Sequence, residues 1–483
     1  MTKTHDAALL INGAWIGPDE RASEPIENPA TGQPIGRVPH ARRDDIEDAL
    51  AAADRAFPGW KNTPPIERSR IMRRAADLIR ERSEEIAAAL VLEQGKRIAE
   101  ARIEIAGAAE HIDWMAEEGR RTYGRIVPGR VQGVRQSVLV EPIGVVAAFA
   151  PWNFPATTPA KKFATALAAG CCCILKGAEE TPLTAVAFAR AFTDAGVPKG
   201  VIGLLFGNPP EISETLISSE IVRKVSFTGS PRVGRQLAAL AASFGKPATM
   251  ELGGHAPVLV YADADLDDAV AQAVAAKFRN AGQVCVSPTR FIVQEQVYEA
   301  YLERFVARAS ALRLGPGDKG GSEMGPLANR RRLGAVQAIV EDARKAGATV
   351  RTGGETFGNE GYYYRPTVLT DIPETARVLH DEPFGPIAAF MPFSDHRDGL
   401  AKANATVYGL AAYAFTQNAS RQIALSEGLQ AGLIGINTFA INGPETPWGG
   451  VRDSGYGRES AIEGLQSCLV SKFAVQKIDA GAL

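Results

Sequence analysis

Cys285 is the residue of this sequence best suited to nucleophilic chemistry. It ends the polar segment RNAGQVC, residues 279–285, on a predicted loop that follows a helix. A thiol in such surroundings can ionise and attack an electrophilic carbon. The other four cysteines lie in apolar segments, where a thiol packs as a small hydrophobic group; they are Cys171, Cys172, Cys173 and Cys468. The cysteines therefore predict one candidate nucleophile and no disulfide framework.

Glu251 and Asn153 are polar residues that could assist a nucleophile. Glu251 begins the segment ELGG, whose two glycines allow close backbone approach and a carboxylate directed into a cleft. Asn153 lies between Pro151 and Pro155 at the end of a predicted strand, and its amide could donate to an oxyanion. On these residues alone, a solvated Glu251 and an Asx turn at Asn153 are equally open.

The segment FTGSPRVG, residues 227–234, follows a predicted strand and opens a predicted helix. Backbone N–H groups at a helix start can hold a phosphate. The segment is not a G-x-G-x-x-G fingerprint, and it is not a P-loop, because Arg235 and Gln236 follow its second glycine. A nucleotide site and a plain strand–helix turn both explain it.

The composition argues against several classes of protein. The 483 residues carry 53 Lys and Arg against 55 Asp and Glu, a net charge of −2, so neither a nucleic acid nor a membrane surface is expected as a partner. No apolar run approaches the length of a membrane span, and no His/Cys pattern predicts a metal site. The polar start of the chain resembles no export signal, so a cytoplasmic location is expected.

Two kinds of region must position these residues: an early, mainly helical region, and regions in which strands and helices alternate. Helical stretches at 43–57 and 66–118 come first, followed by a strand or hairpin at 125–140. Apolar strands then alternate with helices from 145 to about 251, and a second such unit extends to about 437. This alternation predicts an α/β fold with a parallel sheet covered on both faces, a type that binds nucleotides at the carboxyl ends of its strands.

Seven short motifs occur in one order, and together they resemble the NAD(P)-dependent aldehyde dehydrogenase superfamily over essentially the whole chain. Within it, the chain is most similar to the succinate-semialdehyde and related ω-semialdehyde branch. Glu251 also precedes Cys285 by 34 residues, as in the family. The motifs are PWNFP at 151–155, LK at 175–176 with Glu179, FTGS at 227–230, ELGG at 251–254, GQVC at 282–285, EPFGP at 382–386 and GGVRDSG at 449–455.

The resemblance implies a doubly wound, Rossmann-like α/β cofactor domain, a second α/β catalytic domain and a small oligomerisation sheet. The tail strand 469–476 would pair with 125–140 in that small sheet. Family members usually assemble through this sheet, so a homodimer or homotetramer is expected. The predicted boundaries are 1–119 and 143–250 for the cofactor domain, 251–453 for the catalytic domain, and 120–142 and 467–483 for the oligomerisation sheet.

The resemblance also implies roles for single residues. Cys285 would attack an aldehyde carbonyl, the Asn153 amide and the Cys285 backbone N–H would stabilise the oxyanion, and Glu251 would activate the hydrolytic water. The residues that match the family's cofactor site are Trp152, Lys176, Glu179, Phe227, Gly229, Ser230, Gly234, Leu252, Glu382 and Phe384. Those that match its substrate pocket are Phe154, Lys161, Arg279 and Asn442.

Glu179 favours NAD over NADP, because a carboxylate beside the ribose hydroxyls repels a 2′-phosphate. Some relatives with this glutamate nevertheless use both cofactors. Lys176 is followed by Gly177 and Ala178 where Pro-Ser or Pro-Ala is commoner, and this departure is expected to loosen the loop. NAD is therefore the expected cofactor, with NADP as the alternative.

The substrate prediction depends on two cations. Arg279 precedes Cys285 by six residues, where ω-semialdehyde enzymes hold the remote carboxylate, and Lys161 stands in place of that branch's second arginine. Two features depart from the branch: NG at 442–443 replaces a Ser-Ser pair, and Ser287 replaces a redox-switch cysteine. Both cations could also be ordinary surface groups.

An anionic semialdehyde such as succinate semialdehyde is the expected substrate. α-Ketoglutarate semialdehyde, glutarate semialdehyde and aromatic or aliphatic aldehydes are the alternatives within this chemistry. A CoA-acylating dehydrogenase and a non-catalytic binding protein are more distant ones, and the presence of Glu251, Cys285 and Asn153 together argues against both.

Overall fold

The computed structural model describes residues 5–478. The first part of the chain contains two strand pairs, four helices and a hairpin. In chain order these are β1 (Leu9–Ile11), β2 (Ala14–Ile16), β3 (Ser23–Asn28), β4 (Gln33–Pro39), α1 (Arg43–Asn62), α2 (Pro65–Glu81), α3 (Ser83–Gln94), α4 (Ile98–Glu118), β5 (Arg125–Val127) and β6 (Val134–Pro142).

Strands and helices alternate through the next hundred residues, as predicted. Three of these helices begin at a proline, which fits the first helical position because its missing N–H would be unpaired there anyway. The elements are β7 (Val145–Phe149), α5 (Thr157–Ala169), β8 (Cys172–Lys176), α6 (Pro182–Asp194), β9 (Ile202–Leu205), α7 (Pro209–Ser218), β10 (Val222–Thr228), α8 (Pro231–Ser243) and β11 (Ala248–Glu251).

The alternation continues in a second unit, and the chain ends in a long strand. Two predicted helices of this unit, Leu266–Phe278 and Arg330–Ala346, are found with the same bounds. The elements are β12 (Ala256–Val260), α9 (Leu266–Phe278), β13 (Pro288–Gln294), α10 (Tyr298–Ser310), α11 (Arg330–Ala346), β14 (Thr349–Thr352), β15 (Thr367–Thr370), β16 (Ile387–Phe393), α12 (His396–Asn404), β17 (Ala411–Phe415), α13 (Ala419–Gly428), β18 (Leu433–Ile436), β19 (Gly455–Tyr456), α14 (Ala461–Gln466) and β20 (Leu469–Lys477).

Two large sheets confirm the α/β, doubly wound class. The first has the strand order β19-β11-β10-β7-β8-β9-β1-β2, and the second has the order β14-β15-β16-β13-β12-β17-β18. Their inner strands are parallel, as predicted, and β19, β1, β2 and β14 add antiparallel edges that were not predicted from the sequence. The two- and three-residue edge strands are too short to show a periodic pattern.

A third, small sheet joins the tail to the hairpin, as expected from the sequence. Strand β20 pairs antiparallel with β6 along its whole length, from Leu469 opposite Pro142 to Lys477 opposite Val134, and β6 also pairs with β5. Residues 479–483 of the predicted oligomerisation segment, and residues 1–4 of the predicted cofactor domain, lie outside the described residues.

The two early helical predictions were wrong about where the helices end. Helix α1 does not stop before Pro58 but continues through it to Asn62. Pro58 and Asp54, the residue one turn earlier, are both exposed, so the carbonyl that loses its partner can bind water. The stretch 66–118 is three helices rather than one, and Gly95, with φ of 88°, ends α3 in left-handed backbone.

The two large sheets have separate hydrophobic cores and meet where β11 leads into β12 through residues 252–255. The first core also includes Leu465 and Cys468 from the end of the chain. No helix within residues 5–478 is long and apolar enough to cross a bilayer. The same residues contain no group of three metal-binding side chains close enough to hold an ion.

Candidate active site

The carboxyl ends of four parallel strands lie side by side in the first sheet. The register pairs Lys176 at the end of β8 with Phe149 at the end of β7, and Phe149 with Phe227 in β10. Thr228 in turn pairs with Glu251 at the end of β11. The motifs that follow these strands therefore share one sheet edge, which is the edge where doubly wound sheets bind ligands.

Cys285 lies on the loop between α9 and β13, which is built from left-handed backbone. Asn280, Ala281 and Gly282 have φ values of 51°, 52° and 75°, a conformation that costs roughly 1–3 kcal/mol for each non-glycine residue. The loop brings the Cys285 carbonyl oxygen against Gly254, where an added Cβ would lie 2.5 Å from it. Cys285 is thereby held beside the ELGG segment.

Asn153 is hydrogen-bonded to the same loop. Its Nδ2 donates to the Gln283 carbonyl oxygen at 3.2 Å, and the residue is buried. An amide nitrogen carries two N–H groups, so the second one remains available to an oxyanion. The Gln283 side chain is itself fixed, because its Oε1 accepts the Ala328 N–H at 2.9 Å. The predicted oxyanion donor and the predicted nucleophile thus belong to one bonded unit.

The Cys285 thiol is partly buried between charges of opposite sign. Burial, together with the carboxylates of Glu382 and Glu251, raises the pKa of Cys285 to about 12, whereas Lys161 and the Val286 N–H favour the thiolate. At neutral pH the sulfur therefore carries its proton, and nucleophilic attack requires a base or additional positive charge.

Glu251 is a buried carboxylate whose oxygens have no hydrogen-bond partner among residues 5–478. Burial raises the pKa of Glu251 well above its ordinary value, Glu459 adds to this shift, and nearby cations oppose it. Gly449 makes room for the side chain, since a Cβ there would lie 2.7 Å from Glu251 Oε1. An unpaired buried carboxylate is costly, and one with a raised pKa is a strong base once ionised.

The first turn of α8 presents free polar groups to the same sheet edge. Ser230 caps the helix by accepting the Val233 N–H at 3.4 Å, and its side chain is exposed. Thr228 Oγ1 is buried and has no hydrogen-bond partner within residues 5–478. A helix start with an unused hydroxyl beside it has the chemistry of a phosphate site.

Two glycines allow this turn to pack closely. A Cβ on Gly229 would lie 2.5 Å from the Phe227 ring, and one on Gly234 would lie 2.2 Å from the Leu252 side chain. Both glycines are therefore required by close approach rather than by flexibility. The structure thus brings together four of the predicted cofactor residues, which are Phe227, Gly229, Gly234 and Leu252.

Glu382 and Phe384 approach the ELGG turn from the second unit. Glu382 Oε1 accepts the Gly254 N–H at 3.0 Å, and a Cβ on Gly253 would lie 2.2 Å from Oε2. Burial raises the pKa of Glu382 to about 7. The Phe384 ring packs edge-on against Trp152, with ring centroids 5.5 Å apart. These contacts leave a carboxylate and two aromatic rings beside the turn.

Lys176 and Glu179 form an ion pair of 2.7 Å after β8, and Glu179 also accepts the Gly207 N–H at 2.9 Å. The loop between them is not loosened by Gly177, contrary to expectation. Its N–H donates to the Leu205 carbonyl at 3.0 Å, and a Cβ there would lie 2.4 Å from the Phe206 ring. Glycine is present because of close packing, and Glu179 is held in place.

Two cations and two aromatic rings lie next to the Cys285 loop. The Lys161 ammonium is 4.4 Å from the Trp448 ring centroid, and the Arg279 guanidinium is 5.7 Å from that of Phe154. Lys161 is buried and Arg279 is exposed. Within residues 5–478, neither has a carboxylate partner or a side-chain hydrogen bond. Phe154, Trp448 and Cys285 pack against one hydrophobic cluster.

Asn442 is the predicted substrate residue that the structure does not connect to the others. Its side chain is exposed on the loop after β18 and finds no hydrogen-bond partner among the described residues. Its neighbours Phe439 and Ile441 pack against the cluster that includes Phe154 and Cys285. The loop therefore lies near the pocket, while the Asn442 side chain has no established contact with it.

Comparison with known proteins identifies the class. The site brings a thiol, a buried carboxylate and an amide together in an α/β fold, and residues 15–474 match the model of the aldehyde dehydrogenase family. The chain belongs to the aldehyde dehydrogenase family, and it is an NAD(P)-dependent enzyme that oxidises aldehydes.

Three similar proteins illustrate the relationship. The chain is 45% identical to 4-(hydroxymethyl)benzenesulfonate dehydrogenase of Comamonas testosteroni, over 96% of this chain and 97% of the relative. It is 42% identical to the NADP-dependent succinate-semialdehyde dehydrogenase of Escherichia coli K12, over 96% of each. The crystal structure of succinate-semialdehyde dehydrogenase from Burkholderia pseudomallei superposes with a TM-score of 0.95 at 41% identity, over 98% of each chain.

Several residues of the site were not found from the sequence. Asn280 and Gln283 lie inside the quoted segment before Cys285, so their amides were a visible but unused signal. Trp448, and Lys96, whose ammonium donates to the Asn153 carbonyl oxygen at 3.0 Å, gave no signal of their own. Nothing in the segments around them indicates which distant groups they contact. Their importance appears only from the contacts that the fold creates.

Proposed function

We propose that this enzyme oxidises an aldehyde that carries a remote anionic group, such as succinate semialdehyde, to the corresponding carboxylic acid. The observation that carries the proposal is the pair of cations beside Cys285 that have no partner within residues 5–478, Lys161 and Arg279. The carboxylates of Glu459 and Glu251 act on Lys161 without forming a direct ion pair with it, and a buried ammonium without such a pair is expensive. An anionic substrate would provide a direct counter-charge.

The chain's own residues support a thioester route. Cys285 would lose its proton and add through sulfur to the aldehyde carbon, while the Asn153 amide and the Cys285 N–H donate to the oxyanion. NAD(P)⁺, when bound, accepts the hydride that leaves this carbon. Glu251 would take a proton from the water that attacks the thioester, which releases the acid and restores the thiol.

The proposed cofactor contacts follow the sheet edge. The residues offered for the adenosine half are Lys176 and Glu179, those for the phosphates are Ser230 and the first turn of α8, and those for the nicotinamide half are Glu382 and Phe384. The exposed Ser230 side chain and the close glycine packing of the turn before α8 fit an extended dinucleotide. The other proposed cofactor residues surround the turns that hold these groups: Trp152, Phe227, Gly229, Gly234 and Leu252.

A sulfonated aromatic aldehyde is the second candidate substrate. It is favoured by the aromatic walls beside the cations, since Phe154 and Trp448 are joined there by Phe439. It also agrees with the name of the Comamonas relative. A sulfonate and a carboxylate present the same charge to Lys161 and Arg279, so only substrate comparison separates the two.

Replacing either cation should lower activity on anionic aldehydes selectively. Lys161→Met and Arg279→Met are each expected to reduce kcat/KM for succinate semialdehyde by about 30-fold or more, the scale of a lost charged hydrogen bond of about 2 kcal/mol. Activity on butanal should change little in Arg279→Met. In Lys161→Met it should fall less than activity on succinate semialdehyde does, because Lys161 also favours the Cys285 thiolate for every aldehyde, so the ratio of anionic to neutral kcat/KM is the readout. The measurement is NADH formation with succinate semialdehyde, 4-formylbenzenesulfonate, butanal and benzaldehyde.

Arg308→Met is the matched control, because Arg308 is an exposed arginine of α10 outside the site. If both site variants keep the wild-type ratio of anionic to neutral kcat/KM, the anionic-substrate proposal is wrong, and the aldehyde dehydrogenase class is unaffected. If 4-formylbenzenesulfonate outperforms succinate semialdehyde, the second candidate replaces the first.

Glu179 supports NAD as the preferred cofactor, with NADP also accepted. Glu179→Gln keeps an acceptor for the Gly207 N–H and removes the charge that would repel a 2′-phosphate. We expect the NAD-to-NADP ratio of kcat/KM to fall by about tenfold or more, equivalent to about 1.4 kcal/mol. Glu180→Gln is the control, since Glu180 pairs with Arg331 instead. An unchanged ratio in Glu179→Gln would assign cofactor choice to other residues.

We also propose that the small sheet mediates assembly into a dimer or tetramer, and that the predicted domain division holds. Strands β5 and β20 are free edges of this sheet, and free edges readily pair with another chain. Exposed apolar side chains lie along it, and burying them would favour association: Ile126, Leu139, Val470, Phe473 and Val475.

A further inference from the structure

Lys96 is a buried cation that touches the backbone of the proposed oxyanion donor. It lies between α3 and α4 and is 2% exposed. Its ammonium donates to the Asn153 carbonyl oxygen at 3.0 Å, forms an ion pair with Glu104, and lies 4.5 Å from the Phe154 ring centroid. None of the motifs that define the proposed mechanism contains this lysine.

Glu104, the ion-pair partner of Lys96, binds the other end of the PWNFP turn. One of its oxygens accepts the Ala156 N–H at 2.9 Å and the Thr157 N–H at 3.2 Å, at the start of α5. The ion pair of Lys96 and Glu104 therefore holds the turn from Asn153 to Thr157 at both ends. Because a buried ion pair is weak evidence for stability in general, its location against this turn suggests a positional use.

A second buried contact restrains the same carbonyl. Asn280 Nδ2 donates to the Asn153 oxygen at 3.0 Å, and Gln94 Nε2 donates to Asn280 Oδ1 at 2.8 Å. The Asn153 carbonyl thus accepts from Lys96 and from the Cys285 loop at once. With its main chain held on one side and its side chain held by Gln283 on the other, the Asn153 amide has a defined direction.

The segment that carries Lys96 is itself rigidly seated. A Cβ on Gly317 would lie 2.1 Å from the Lys96 carbonyl oxygen, and the Ile98 N–H donates to the Gly317 carbonyl at 2.9 Å. Gly95 is left-handed, with a hypothetical Cβ 2.8 Å from Pro326. Precise sites require such support, because a small displacement of a donor costs much of its effect.

We propose that Lys96, oriented by Glu104, is a positioning residue that aims the Asn153 amide at the oxyanion. Lys96 acts through Asn153 and makes no contact with the reacting atoms. The inference rests on the proposed role of Asn153, so its test must separate the two.

A double-mutant cycle between Lys96 and Asn153 makes this separation. Asn153→Ala should lower kcat by about 10²- to 10³-fold, as for a lost oxyanion donor. Lys96→Met should lower kcat by about 10- to 100-fold in the wild-type background, with little change in the KM for NAD, but by less than about threefold in the Asn153→Ala background. Lys96→Arg, which keeps a charged donor, should recover part of the loss.

Two controls keep the test decisive. Lys96→Met leaves Glu104 as an unpaired buried charge, so the double variant Lys96→Met/Glu104→Gln is measured beside it. Arg21→Met breaks a partly buried ion pair outside the site, with Asp45 at 2.8 Å, and should lower the Tm without lowering kcat. Equal losses from Lys96→Met in both backgrounds would overturn the positioning role. A wild-type kcat in Asn153→Ala would instead overturn the proposed role of Asn153.

Discussion

Cys285→Ala is expected to abolish aldehyde oxidation, with a fall in kcat of about 10⁴-fold or more, because no other group can form the thioester. The remaining cysteines cannot substitute, since all four are buried in the first core. NADH formation in the presence of aldehyde measures the loss. The variant should nearly retain its Tm, because Cys285 is only partly buried and alanine removes a single sulfur atom from it.

The pH dependence of thiol alkylation provides an independent test that Cys285 is the reactive thiol. Burial and two carboxylates raise the pKa of Cys285 to about 12, so its thiolate fraction should grow with pH over the whole neutral to alkaline range. Inactivation of the free enzyme by iodoacetamide should accelerate correspondingly and disappear in Cys285→Ala. Cys172→Ala is the matched control: burial also raises the pKa of Cys172 to about 12, but the side chain is closed to solvent within β8. Inactivation that persists in Cys285→Ala would show another reactive thiol.

Long periodic elements were predictable, and short ones were not. Helices α9 and α11 have the predicted bounds because their apolar spacing extends over several turns. The strands of two or three residues at the edges of the first sheet, β1, β2 and β19, have no such pattern. The positions of β1 and β19 depend on pairing with the distant strands β9 and β11, which is a tertiary effect, and β2 is placed by its pairing with β1.

The catalytic motifs were predictable as linear segments, but the distant residues that hold these motifs in place were not. Asn153, Glu251 and Cys285 each lie in a short motif with turn residues, so their chemistry could be read locally. Lys96 binds a carbonyl 57 residues away along the chain, and Glu104 caps a helix start from 52 residues away. The fold buries Lys96 beside the site, and the sequence around a charged residue does not indicate that the residue will be buried.

Gly177 illustrates a related error. Glycine in a loop is commonly associated with freedom, and the sequence therefore predicted a loosened cofactor loop. The structure assigns the glycine to close packing against the Phe206 ring instead. The same residue type serves either purpose, and only the neighbouring chain decides which.

Glu251→Gln is expected to separate the two halves of the reaction. Steady-state kcat should fall by about 10²- to 10⁴-fold, the contribution of a general base. The first turnover should persist, because the thioester forms before the hydrolytic water is needed. A rapid burst of NADH, with an amplitude near one per active site, followed by slow turnover, is the expected trace. The acyl-enzyme should be detectable as a mass increase on Cys285.

The proposed role of Glu251 as a base also predicts the direction in which the hydrolysis rate changes with pH. Because burial raises the pKa of Glu251 well above its ordinary value, the carboxyl takes up its proton at a higher pH than an ordinary glutamate does, and it loses its function as a base as the pH falls. Hydrolysis by the wild-type enzyme should therefore accelerate as pH rises. The surrounding charges, from Lys161, Lys162, Arg458 and Glu459, couple to this titration, so the measured midpoint belongs to the group. The Glu251→Gln variant should lose this ascending limb.

Added nucleophiles distinguish a missing base from a damaged site. Hydroxylamine attacks a thioester without help from a base, so it should restore turnover to Glu251→Gln and add little to the wild-type rate. Coenzyme A tests the acylating alternative in the wild-type enzyme, where no acceleration is expected because water is the acceptor. Wild-type turnover in Glu251→Gln would assign the base elsewhere, with Glu459, a buried carboxylate whose charge acts on Glu251, as the next candidate. Loss of the burst itself would instead make Glu251 the group that removes the Cys285 proton.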